Sequence, residues 1–156
     1  MLRMTNKNPT AILKEEHDKV LKILDKLEKN LGKSDIKSSE KELIVLEKEF
    51  DKHSLNKEEK VLFPEIEKFI PRENGPTGMM IMEHEDLVSS INNFKKNIKN
   101  KNFKNLNEIG SHIISLLRQH IDKENNILFM MADMHLDDKQ KKGMLEKFKK
   151  IDSKNK

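Results

Sequence analysis

The chain of 156 residues has no cysteine, no tryptophan and no tyrosine. Without cysteine there is no disulfide framework, no thiolate metal site and no thiol nucleophile, a composition that fits a reducing compartment. With all three missing, no side chain remains of the kind that most often carries an oxidising equivalent as a radical, which weighs against radical-generating oxygenase chemistry. Glycine and proline number only five and four, and β-branched runs are absent, so helices are favoured throughout. No segment approaches the roughly 18 to 20 continuous apolar residues that cross a bilayer, and the MLRMTNKNPT start lacks an apolar run of signal-peptide type. The expectation is a soluble, cytoplasmic chain with no membrane partner.

Charge of one sign is also lacking. Lysine plus arginine total 31 against 27 acidic residues, a formal +4. Only Arg3, Arg72 and Arg118 carry the guanidinium fork that usually reads phosphate or base edges. The lysines are spread over every segment, which reads as a solvated helical surface and predicts no nucleic-acid partner.

What is present is helical periodicity. After Asn8-Pro9-Thr10, suited to a first turn, apolar residues recur at Leu13, Val20, Leu24, Leu27 and Leu31, with His17 in the same stripe, until Gly32. A second helix is predicted from Ser39, with Glu42 in a capping-box position, through Leu43, Leu46, Phe50 and His53 to LFPEIEKF. IPRENGPTG reads as a loop. A third stripe holds Met80, His84, Leu87, Ile91, Phe94 and Ile98. After the NKNFKN turn a fourth holds Leu106, Ile109, Ile113, Leu116, His120, Glu124, Ile127 and Met131. A short fifth helix is expected after Asp137, with Gln140 as its capping-box partner. The predicted fold is all-α: an up-down-up-down four-helix bundle over 9–133 with a short C-terminal helix over 137–151, in one domain spanning 1–156.

Each of the four stripes is interrupted by one histidine, at His17, His53, His84 and His120. A nearly repeated phrase adds two carboxylates: HSLNKEEKVLF from His53 supplies Glu58, and HIDKENNILF from His120 supplies Glu124. Converging in a core, unpaired carboxylates would each cost several kcal/mol. No lysine or arginine in the stripes offers enough compensation, so a metal is the economical partner. Imidazole and carboxylate without thiolate suit iron, manganese or zinc. Six donors exceed one tetrahedral zinc and fit two octahedral irons bridged by both carboxylates. Neither the Glu-x-x-His pairs of ferritin-like sites nor HExxH is present. A metal-free bundle with structural histidines is the bland alternative.

The segments EEHDKVLKIL, KEEKVLFPEIE, ENGPTGMMIMEHEDL and HIDKENNILFMMAD, in this order from about Thr10 to Asp133, resemble hemerythrin-like proteins of the HHE cation-binding type. The resemblance implies a non-haem di-iron centre, oxo- or hydroxo-bridged, with His17, Glu58, His84, His120 and Glu124 among its ligands. It also implies binding of dioxygen or nitric oxide, in oxygen binding or sensing. The alternative within that resemblance is an enzyme or repair protein, acting on iron–sulfur clusters, peroxide or nitric oxide. A sensor would need a protein partner, for which the fifth helix and its basic tail are the expected place.

One ligand departs from the pattern. Counted back from the shared Lys-Glu and Leu-Phe, the family's second-helix histidine falls on Ser54, and the imidazole sits one residue earlier at His53. In a regular α-helix, five residues leave His53 and Glu58 about 140° apart. A single wide π-turn between them would turn both to the metals. Of the remaining candidates, His112 is expected in the core or behind a ligand, His135 in solvent, and Glu16, Glu83 and Glu85 on the surface or orienting an imidazole. Met79, Met80, Met82, Met130 and Met131 are expected as core filler.

Overall fold

The computed structural model describes residues 8–154; the first seven residues, which make up most of the MLRMTNKNPT start, and the last two of the basic tail lie outside the described residues. Within them the chain is all-helical, with no strand. Helix α1 (Pro9–Gly32) opens where Asn8 accepts the backbone N–H of Thr10 and Pro9 fills a position that needs no donor. Helix α2 (Ile36–Phe50) begins earlier than the expected Ser39. Asp35 is the cap, its carboxylate accepting the Ser38 N–H at 3.1 Å, and the Ser39 hydroxyl donates back to the Asp35 carbonyl at 2.8 Å. An aspartate one turn upstream therefore captures the free amides before the Ser39–Glu42 pair can.

Helix α2 runs without interruption into a first π segment (Asp51–Leu62) and a single turn of α3 (Phe63–Ile66), where the rod stops short of the expected LFPEIEKF end. Helix α4 (Pro76–Lys99) follows a loop in which Asn74 adopts a left-handed φ of 59°. A 3₁₀ turn (Phe103–Asn105) leads into α5 (Leu106–Lys123), a second π segment (Glu124–Leu128) and α6 (Phe129–His135). Helix α7 (Asp138–Lys154) opens on the expected reciprocal cap, with Gln140 N–H donating to Asp137 at 2.8 Å and Asp137 N–H to Gln140 at 3.1 Å.

Helix α1 packs on α2 and α5, α4 packs on α5 and α2, and α7 lies on the first π segment. The core divides into two apolar clusters. One gathers Val20 to Leu31 of α1, Leu43 to Phe50 of α2, Leu87 to Phe94 of α4 and Leu106 to Ile121 of α5. The other gathers Leu13, Val61 to Ile66, Met80, Leu128 to Ala132, and Met144 and Phe148 of α7. On every rod the histidine falls in sequence between a residue of one cluster and a residue of the other. A polar layer is thus sandwiched between two dry ones.

Past Glu124 the expected stripe fails. Ile127 is exposed, and the buried residues are Leu128, Phe129 and Ala132, because the second π segment hands the inner face on by one residue. Of the five methionines expected as core filler, Met80 is buried; Met79, Met82 and Met130 are exposed and Met131 is half-buried, so these four are not core filler. They extend from the outer faces of α4 and α6, away from both clusters.

Candidate metal centre

His17 comes from α1, His53 and Glu58 from the first π segment, His84 from α4, His120 from α5, and Glu124 opens the second π segment. All six are buried, with Glu58, His84 and Glu124 at 0 % exposure. His53 Nε2 lies 2.9 Å from Glu58 Oε2, and His17 Nε2 3.8 Å from the same oxygen. His17 Nε2 is 3.0 Å from Glu124 Oε1, His120 Nε2 3.3 Å from Glu124 Oε2, and His84 Nε2 3.2 Å from Glu58 Oε1. Two donor sets result: His17, His53, Glu58 and Glu124 on one side, and Glu58, His84, His120 and Glu124 on the other. They overlap in both carboxylates.

The extra residue of the first phrase is absorbed by the backbone. Over Asp51–Leu62 the turns widen, and the N–H of Phe63 reaches back five residues to the Glu58 carbonyl. The wide turn cancels the misalignment of a five-residue step, so His53 and Glu58 both face inward and touch. Ser54, the position at which the resemblance places the imidazole, is buried beside His53 and lines a small void. The second phrase has a four-residue step and its own, shorter π segment, where Phe129 N–H reaches Glu124 carbonyl. That second widening was not expected from the sequence.

Behind each imidazole stands one oxygen. Nδ1 of His53 donates to Glu16 at 2.8 Å, that of His120 to Glu83 at 2.6 Å, that of His84 to Glu59 at 2.5 Å, and that of His17 to the Asn125 side-chain oxygen at 2.7 Å. An ionised carboxylate or an amide oxygen can only accept, so every Nδ1 carries the hydrogen and every Nε2 is the atom turned to the centre. Phe63 stacks on His84 and Phe129 on His17, at 5.9 and 5.3 Å between ring centroids. Lys57 and Lys123 ion-pair with Glu16 and Glu83. Each word of the doubled phrase therefore has a job: His and Glu point in, Lys holds an outer acid, the next residue holds a neighbouring imidazole, and Phe packs on that imidazole.

Glu16 and Glu83 are the orienting acids among the residues considered from sequence; Glu85 is exposed. Glu59, Asn125, Lys57 and Lys123 were missed. Their signal was adjacency to Glu58 and Glu124 in both copies of the phrase. His112 is exposed and paired with Asp86 at 3.2 Å, so it is neither core nor behind a ligand. His135 is exposed, as expected, and lies against Phe69.

The electrostatics favour added positive charge. Burial pushes the His17 imidazole down, but Glu124 and Glu58 more than reverse this and hold it up at about 10. Burial likewise opposes the shift of His120, which Glu124 and Glu83 raise to about 10, and of His84, which Glu58 and Glu59 raise to about 9. His53 is raised by Glu58 and Glu16 against its burial, and Glu58, despite a burial that favours its neutral form, is held well below the usual carboxylate range by His53, His17 and His84. Protons alone do not complete the site. Glu58 Oε1 and both oxygens of Glu124 are buried with no hydrogen-bond partner, although imidazole nitrogens lie 3.0 to 3.3 Å away. His84 and His120 turn their Nε2 atoms on each other at 3.2 Å. Lone pairs of nitrogen and oxygen converging off hydrogen-bond lines are what a metal cation accepts, so the residues present fit one.

Residues 8–132 match the family model of the hemerythrin HHE cation binding domain. The chain belongs to the hemerythrin HHE cation-binding family. Helix α7 lies beyond the matched residues. No curated protein and no solved structure is matched by the chain. Among the described residues no helix of this hemerythrin-family chain is long and apolar enough to cross a membrane.

Proposed function

We propose that this chain is a cytoplasmic, non-haem di-iron protein that binds dioxygen or nitric oxide, in oxygen binding or sensing. Its ligands are His17, His53, Glu58, His84, His120 and Glu124, and its fold is a single-domain, up-down-up-down four-helix bundle carrying a C-terminal helix. The topology is supported by cluster order: α1 and α4 run from the Met80 end of the core to the Phe94 end, and the rods of α2 and α5 run back. One observation carries the functional reading: two donor sets share both carboxylates, and three of those buried carboxylate oxygens have no hydrogen-bond partner.

The family supports iron over other metals, as do nitrogen and oxygen donors without thiolate. Two ferrous ions held there would supply an open coordination position and electrons for a diatomic ligand. The protein's own part is positioning and exclusion. Nδ1–H donors fix the ring planes, and Phe63 and Phe129 wall two of the imidazoles. A void of about 10 Å³ lies against His17, His53 and His120, otherwise walled by Val20, Phe50, Ser54, Leu117 and Ile121. That is about the least room that admits one water-sized molecule, and it is too small for an organic substrate.

The test is anaerobic reconstitution with ferrous salt, followed by oxygen titration. About two irons per chain and a reversible change in the visible spectrum are expected. Continuous oxygen consumption with a reductant would place the chain among di-iron enzymes instead. Failure to hold any transition metal would end the di-iron reading.

A further inference from the structure

Among the described residues Lys57 is the only buried lysine, at 0 % exposure. Its ammonium is clamped between two acids from different helices: Glu16 of α1, and Asp152 of α7 at 2.7 Å. The Phe148 ring of α7 covers it, 5.5 Å from Nζ to centroid. The other oxygen of Glu16 accepts the Nδ1–H of His53 at 2.8 Å. An unbroken chain of ion pairs and hydrogen bonds therefore runs from Asp152 through Lys57, Glu16 and His53 to Glu58.

The second copy of the phrase is the internal control. Lys123 holds Glu83, and Glu83 holds His120, by the same links, yet Lys123 is 37 % exposed and, among the described residues, pairs with no second helix. Linking a lysine to an outer acid does not require burial, and burying an ammonium is costly unless it is fully paired. What burial adds at Lys57 is α7, which lies outside the residues that match the family. It adds it at the corner where the first phrase carries its extra residue between His53 and Glu58.

We propose that Lys57 is a positioning residue through which docked α7 holds His53 on the metal, so that the C-terminal helix sets how firmly this corner keeps its iron. This rests on the di-iron reading above. Tests use the full chain loaded with ferrous iron, measuring iron release to a chelator, the visible absorption, and the unfolding midpoint of the metal-free form. Lys57→Gln should speed release of one iron by about tenfold and alter the absorption, within the range found when groups behind ligands are removed. Asp152→Asn should do the same by a few-fold, and since Asp152 is 47 % exposed it also serves if Lys57→Gln does not fold. Lys123→Gln should have less effect than either. Release rates within about twofold of wild type in the folded variants overturn the proposal. So does a lowered metal-free midpoint with release and absorption unchanged, which would make Lys57 a plain cross-brace. If the unaltered chain loads no iron, the di-iron reading itself fails, a result distinct from normal loading with indifferent variants.

Discussion

The two halves of the centre are built from one phrase used twice, and they differ in what surrounds them. On the His53 side the lysine is sealed under α7; on the His120 side it is partly exposed. A second difference lies one residue after each shared carboxylate. Glu59 presents a charged oxygen to His84, whereas Asn125 presents a neutral one to His17. The donors facing inward are alike on both sides, so the halves can be distinguished only from behind. A carboxylate behind an imidazole makes the ring more basic and a better metal donor than an amide does.

The largest effect should come from removing what the halves share. Glu58→Ala or Glu124→Ala deletes a donor from both sets, and near-complete loss of iron is expected by elemental analysis; retention of one iron would show that the halves bind independently. His53→Ala should empty only the His17 side, read as loss of one iron with the His84 side kept. Loss of both would mean that the His84 side cannot hold iron alone.

The next effect is one of pH, in the metal-free protein. His17, His120 and His84 have folded-state values of about 10, 10 and 9, above the ordinary 6.5. A raised value means that folding favours the protonated form, so this stabilisation is complete below pH 6.5 and lost as pH rises through 9 to 10. The metal-free unfolding midpoint should fall across that window. Iron must displace those protons, so loading should weaken as pH falls, with protons released on binding. A midpoint flat from pH 7 to 10 would count against the buried imidazolium cluster.

Smaller effects sharpen the asymmetry. Asn125→Asp should make the halves more alike and lower the midpoint potential of the iron on the His17 side, and Glu59→Gln should raise that on the His84 side; voltammetry of the loaded protein decides. The smallest is Lys123→Gln on stability. A half-open ion pair of this kind is worth about 0.5 kcal/mol or less, measured by urea unfolding.

Much of this was legible along the chain. Stripes at helical spacing located four rods, and their four histidines with Glu58 and Glu124 are the residues brought together. A widening around His53 was legible too, because a repeated phrase with one extra residue has to be realigned somewhere, but its extent over Asp51–Leu62, beyond the single turn expected between His53 and Glu58, was not. The second π segment was not, since a four-residue step from His120 to Glu124 needs no correction, and Ile127 was misplaced as a result. The sequence offers two starts for helix α2, a capping box at Ser39 and the Asp35 cap that forms, and local pattern does not rank them. Exposed Met79, Met82 and Met130 were misjudged because hydrophobicity does not say which face of a helix has neighbours.

By itself the sequence determined rod number, the placing of one imidazole in each stripe and the identity of the two shared carboxylates, since these follow from spacing within single helices. Only the tertiary structure decided which outer oxygen meets which ring, and that one of two equivalent lysines is buried. Glu16 meets His53 and Glu83 meets His120 across 37 positions each, and α7 covers Lys57 from the far end of the chain. Such pairings depend on how rods pack against one another, which no local periodicity encodes.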